Sequence, residues 1–216
     1  WIFSLAHTGS SMIRSSDRML GEYYYSTSDG TLTKNEAAGM AAYLSFGNIM
    51  GLLIGGQIFA NQSERQRKWI VSRMYVVTIC SVYALAFLGH SKTKQTINEP
   101  GLVSFLQVLF SFTMGCGIAI MLYILPGLAG IMFGSNTGLF ASYSDGVAYA
   151  MASIVWRIVG SAVDSDQQGG DGWAYGWAAV ALLMILCAVL MLEFLEHYFV
   201  RPSGQVSGTY ETIILA

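Results

Sequence analysis

Along this chain long apolar stretches alternate with short polar ones, and the cycle repeats six times. The clearest cycle lies between Glu36 and Arg73. An apolar, small-residue run, Ala37 to Ala60, closes on Asn61-Gln62-Ser63-Glu64-Arg65-Gln66-Arg67-Lys68. A helix of about 20 largely uncharged residues crosses the ~30 Å hydrocarbon core of a bilayer, so the run predicts a membrane span rather than a buried helix of a soluble protein. Within it Gly47, Gly51 and Gly55 recur every fourth residue. That spacing strips one helical face of side chains, where a neighbouring helix can pack closely. The remaining cycles predict spans over about 1–24, 69–88, 102–125, 139–163 and 173–199, with a polar tail over 200–216. The expected fold is all-α: a polytopic membrane protein with six transmembrane helices.

Local signals punctuate the pattern. Asp29-Gly30 marks a turn between the first two spans. Thr33 with Glu36 three residues on forms a capping box at the start of the second. Pro126-Gly127 ends or kinks the fourth span. The turn Gly134-Ser135-Asn136-Thr137-Gly138 and the acidic, glycine-rich stretch Asp164 to Gly172 separate the last three.

Composition narrows the function classes. The chain is 54% hydrophobic and 11% charged, against roughly 25% charged in a soluble domain. A net charge of -2 leaves no basic surface for nucleic acid. Cys80, Cys116 and Cys187 all fall inside apolar runs and read as packing residues, not disulfides or metal ligands. No nucleophile–base pair stands out, and the Gly134–Gly138 turn has no lysine to cradle phosphate. Neither an enzyme, a metal nor a cofactor is expected.

Basic residues orient the spans. With six spans, one side holds both termini and Arg65, Arg67, Lys68, Arg73 and Arg201; the other holds Lys34, Lys92 and Lys94. Lysine and arginine concentrate on the cytosolic side, which places the termini in the cytosol or its organellar equivalent.

Charges within the spans carry the chemistry, because a charged side chain at the bilayer centre costs about 2.5 to 3.5 kcal/mol even on the gentler insertion scales. Arg14 lies in mid-span, with Asp17 and Arg18 three and four residues on, on the same face. Asp145 and Arg157 lie in the fifth span, and His7 in the first. Most have more than one reading. Arg14 and Asp17 either bind an anion or merely neutralise each other. Arg18 reaches toward the headgroups. Arg157 faces a cavity, or reaches the headgroups or a neighbouring acid. Asp145 serves in a site or caps the start of its helix. His7 packs, lines a pore or relays protons. Arg14, Asp17, His7 and Arg157 form the candidate substrate-binding set.

Six spans, a basic segment between the second and third and a short turn between the fourth and fifth resemble one half of a major facilitator superfamily transporter. In that layout these are spans seven to twelve of twelve, and substrate is held at the midplane between two six-span halves. The segment Gly56 to Lys68 sits where the superfamily carries its Gly…Asp-Arg…Gly-Arg-Arg signature. Here Asn61 stands in the place of the acid and the second glycine is absent. Asn61, Arg65, Arg67 and Lys68 would accordingly form the conformational latch loop. Within the superfamily, Trp1-Ile2-Phe3-Ser4-Leu5-Ala6…Met12-Ile13-Arg14 and Gly21-Glu22-Tyr23-Tyr24 look most like the organophosphate:phosphate antiporters and related sugar-phosphate exchangers. Those proteins use an arginine at this place in span seven to bind phosphate, so the resemblance implies that Arg14 does so here. It implies transport of a small organic anion by alternating access. It also implies a second six-span half: a further N-terminal part, another chain or a copy of this one. The alternative is a transport-inactive half recruited as a structural subunit of a larger membrane complex.

Overall fold

The computed structural model describes residues 2–28, 30–97, 99–131, 134–165 and 171–197. Trp1, the end of the sixth predicted span, Arg201 and the polar tail lie outside the described residues. Those residues are all-helical, with no strand among them. Five helices are long and apolar enough to cross a membrane: Lys34–Ala60, Glu64–Gly89, Gly101–Gly130, Gly134–Asp164 and Gly172–Leu195. They expose many large apolar side chains, among them Ile49, Leu53, Val76, Phe105, Leu182 and Val189. Outward apolar faces of this kind are compatible with a bilayer and a multi-pass protein.

The first predicted span departs from expectation. It is two helices, α1 (Ile2–Arg14) and α2 (Asp17–Thr27), of 13 and 11 residues. At 1.5 Å per residue these are about 20 and 17 Å long, so neither alone reaches across a ~30 Å core. α1 is buried along most of its length, from Phe3 to Ile13, whereas α2 buries Leu20, Tyr23, Tyr24 and Thr27. Phe3, at the start of α1, packs on Phe194 near the end of α10 (Gly172–Leu195), and Tyr23 in α2 packs on Trp173 near its beginning. The broken pair thus runs antiparallel to the whole length of α10.

The second span starts at Lys34, three residues before the predicted boundary. The capping box causes this. The Thr33 Oγ1 accepts from the Glu36 N–H at 3.3 Å, and the Glu36 carboxylate accepts from the Thr33 N–H at 2.7 Å. This span comprises α3 (Lys34–Met50), a wider π turn over Gly51–Gly55 and α4 (Gly56–Ala60). The third, α5 (Glu64–Gly89), starts five residues earlier than predicted. Gln66 Oε1 accepts from both the N–H and the hydroxyl of Ser63, at 3.0 and 2.8 Å, so helix begins at once. Arg65, Arg67 and Lys68 consequently lie on the first turns of α5, and only Asn61, Gln62 and Ser63 remain as loop.

A short helix, α6 (Ser91–Thr96), follows α5. The Asp171 carboxylate, from the start of α10, accepts from the Ser91 N–H at 2.7 Å and tethers α6 there. The fourth span does not stop at Pro126. It comprises α7 (Pro100–Ala119), a π turn over Ile120–Ile124 and α8 (Leu125–Ile131). The Leu125 N–H reaches back to the Ile120 carbonyl, and this widened turn makes room for the proline ring that an α-turn would clash with. Gly134, at φ +54°, turns the chain into α9 (Thr137–Ser165), and the Thr137 hydroxyl donates to the Gly130 and Gly134 carbonyls at 2.7 and 2.6 Å.

The glycine face behaves as its spacing predicts. A Cβ on Gly47 would run into the Phe112 carbonyl oxygen, and one on Gly51 would lie 2.5 Å from the Cys116 oxygen. One on Gly55 would meet the Ile120 side chain at 3.1 Å, and from α7's side Gly115 is just as close to the Leu44 carbonyl. The second and fourth spans therefore cross backbone against backbone. The three cysteines are free thiols, with Cys187 buried and Cys80 exposed.

Single cysteines at Thr31 and at Ser63, in a chain whose native cysteines are replaced by alanine, test the crossing of the second span. An impermeant thiol reagent should label them from opposite sides of a sealed vesicle. Labelling of both from one side would remove Lys34–Ala60 as a span.

Candidate functional site

The break in the first predicted span is built by side chains. At Ser16 the N–H turns to the Ile13 carbonyl, three residues back (3.1 Å), and the Ser16 hydroxyl donates to the same oxygen at 2.7 Å. Met12's carbonyl thus loses its helical donor. Trp156, on α9, replaces it: its indole N–H lies 3.0 Å from the Met12 oxygen and 3.1 Å from Ser15 Oγ, while the Ser15 hydroxyl itself donates to Met12 at 3.0 Å. Irregular backbone inside an apolar bundle persists only where such groups are satisfied again. Edge contacts to Trp177 on α10 hold the Trp156 ring.

Arg14 and Asp17 flank the break. Their side chains are 34% and 46% exposed, with Arg14 Nη1 3.7 Å from Asp17 Oδ2. At that distance and exposure the pair is loose and open to a third partner. Opposite lies α9, the least enclosed of the five long helices, with 22% of its most apolar window buried against 28 to 50% in the others. Ser142, Asp145, Tyr149, Ser153 and Arg157 are all exposed on it. Spacings of three and four residues keep such positions on one side of a helix, so α9 carries a polar stripe along its open face. The charges of Asp145, Arg14 and Asp17 all act on the Tyr149 hydroxyl, as does Tyr123 from the π turn of the fourth span. These five groups form one polar field.

His7 joins it from inside. The imidazole is 1% exposed, yet its Nε2 is 3.0 Å from Asp145 Oδ1, whose side chain is 53% exposed. Phe3 stacks on the ring at 5.7 Å and 12°, and Ser4 meets Ser144 between the same two helices, their hydroxyl oxygens 3.2 Å apart. Asp145 is well inside α9 and does not cap it.

Of the predicted substrate residues, the fold brings Arg14 and Asp17 to the break and His7 to the same field through Asp145. Arg157 lies on the same stripe but three turns from Asp145, exposed and without an acid in ion-pair range among the described residues. Asp145 was marked by its charge within a predicted span; Tyr149, Trp156 and Ser10 carried no charge to mark them. The polar spacing over 142–157 is the signal that would have found Tyr149.

The latch-loop residues are partly engaged within the chain. The Arg67 guanidinium donates to the Phe59 and Ala60 carbonyls, at 3.1 and 2.9 Å, and lies over the Phe59 ring. It thereby covers the exposed carbonyl end of the second span. Lys68 pairs with Glu196 beyond the end of α10 at 2.6 Å. Asn61 and Arg65 are exposed. No protein-family model, curated protein or solved structure matches the chain.

Proposed function

We propose that the chain is the C-terminal half of a secondary transporter of the major facilitator type, moving a small organic anion of the organophosphate class by alternating access. One observation carries this reading: a polar stripe on the open face of α9 stands beside a break in the first predicted span that presents an arginine about one-third exposed. Such a face is costly against lipid and suits a water-filled cavity completed by a second six-span half. In transporters, interrupted helices at mid-membrane mark substrate sites. In this reading Arg14 binds the phosphoryl group through two parallel charge-assisted hydrogen bonds. The anion displaces Asp17, and the low-dielectric walls strengthen the attraction.

A second reading, a transport-inactive structural subunit, draws support from Arg67. Its guanidinium is spent on the end of the second span, and Asn61 offers no acid to a moving latch.

Uptake decides between them. The chain, in the assembly in which it is purified, is reconstituted in phosphate-loaded vesicles and given labelled glycerol 3-phosphate. Arg14→Lys should cut uptake about tenfold, because an ammonium loses the planar fork; Arg157→Ala should stay within about twofold of the native chain, as rim charges usually do. Native uptake by Arg14→Lys would overturn Arg14's role. Absence of anion uptake by the native chain would leave the subunit reading.

A further inference from the structure

We infer that His7, Asp145 and Ser10 form a proton-binding site that opens onto the polar face of α9; its use in coupling rests on the transport reading above. Three distances carry the inference. His7 Nε2 is 3.0 Å from Asp145 Oδ1, His7 Nδ1 is 3.1 Å from Ser10 Oγ, and that same Oγ is 2.9 Å from the His7 carbonyl oxygen. Ser10 is fully buried and His7 nearly so, whereas Asp145 is half exposed.

A serine has one proton to donate, and here it has two acceptors. With the imidazole neutral, Nε2–H donates to the Asp145 carboxylate and the Ser10 hydroxyl donates to Nδ1. When a proton enters, the ring carries N–H on both nitrogens. Nε2–H still faces Asp145, Nδ1–H now donates to Ser10 Oγ, and the Ser10 proton swings to the His7 carbonyl. Every buried donor and acceptor is matched in both states, and the site changes by one proton and one unit of charge. An ordinary core histidine lacks this property, because adding a proton strands a donor or clashes with one. The exposed carboxylate is the entry point, since a proton arriving from the face of α9 meets Asp145 first. Histidine–carboxylate chains within a membrane serve as proton relays in pumps and transporters.

The surroundings leave Asp145 as the decisive charge. From α9 the other ionisable group at hand is Tyr149. From α10 it is Cys187, whose thiol lies 3.6 Å from the Leu5 carbonyl. From the fourth span Tyr123 acts on Tyr149, and the backbone of Cys116 lies against Gly51. On the first span, Arg14 and Asp17 lie two turns or more away and offset each other. The site also joins α1, upstream of the break, to α9, the helix that supports the break through Trp156. Occupancy by a proton is thereby tied to the two elements that frame Arg14.

The test reads the proton directly. The chain has three histidines, His7, His90 and His197, so ¹⁵N-histidine spectra of the native chain in lipid nanodiscs can be assigned by comparison with His7→Gln. Across about pH 4 to 9, a range that brackets an ordinary histidine, His7 should pass from the Nε2–H tautomer to imidazolium. In Asp145→Asn the imidazolium signal at mildly acidic pH should drop severalfold, because the carboxylate that stabilises it is gone. An Nδ1–H neutral tautomer, a His7 signal unchanged over the whole range, or a titration indifferent to Asp145→Asn would each overturn the site. Glycerol 3-phosphate uptake under an imposed pH gradient, measured on the same protein, then bears on the transport reading alone. A titrating His7 without uptake supports the proton site and removes that reading, not the reverse.

Discussion

Gly51→Leu should lower the stability of the helix bundle by about 3 kcal/mol, near the upper end for overpacking a well-filled interior. A single added Cβ would lie 2.5 Å from the Cys116 oxygen, 2.8 Å from the Cys116 Cα and 2.9 Å from the Ala119 Cβ. Two of these atoms are backbone, so no rotamer change relieves the clash. The second and fourth spans must separate, and the close contact that holds helices together in lipid goes with them. Unfolding in mixed micelles at rising SDS, followed by helicity, measures the effect as an earlier midpoint. Gly39→Ala is the control: nothing lies within 4 Å of its added carbon, and alanine in a helix is neutral or favourable by roughly 0.5 to 1 kcal/mol. Equal midpoints for Gly51→Leu and the native chain would show that the glycine face is not a packing face.

Trp156→Phe should cost about 0.5 to 1.5 kcal/mol, the net worth of one hydrogen bond, since the Ser15 hydroxyl still donates to the Met12 carbonyl. The substitution keeps an aromatic ring against Trp177 and removes only the indole N–H that reaches Met12 and Ser15. Because the lost bond supports the break itself, the damage should be local. Amide hydrogen exchange over residues 12–17 should accelerate well beyond the change seen in α5. A uniform acceleration, or none, would mean that the break holds without Trp156. Ser15→Ala, which leaves the indole bond to Met12 in place, should have the smaller effect of the two.

The long helices were legible because a bilayer demands uninterrupted apolar length, and Lys34–Ala60 through Gly172–Leu195 supply it. So were the Thr33–Glu36 cap and the glycine face, since both depend on spacings of three and four residues that a helix converts directly into contact. The break in the first span was not. Neither proline nor glycine marks Ser15-Ser16, and the bonds that stabilise it come from a tryptophan 141 residues further on. Asp145 is 138 residues from His7, and no local pattern announces a pair that only the packing of α1 on α9 creates. The basic cluster after the second span was read as loop because charge suggests solvent. Ser63 and Gln66, which open the helix there, are quieter signals than three cations.

The two π turns have a rotational consequence. Four residues of α-helix overshoot one revolution by about 40°, so glycines at every fourth position drift steadily away from a straight neighbour. A π turn holds more residues per revolution, and four of its residues fall short of a full circle instead. Gly47 to Gly51 is α-helical and Gly51 to Gly55 is π, so the second interval undoes the drift of the first. All three glycines accordingly meet the same span, at Phe112, Cys116 and Ile120. The turn works as a phase corrector, and it sets the angle of everything beyond it. Winding the same five residues as plain α-helix would turn α4 roughly a quarter of a revolution further, carrying Phe59 and the carbonyls of Phe59 and Ala60 out from under the Arg67 guanidinium.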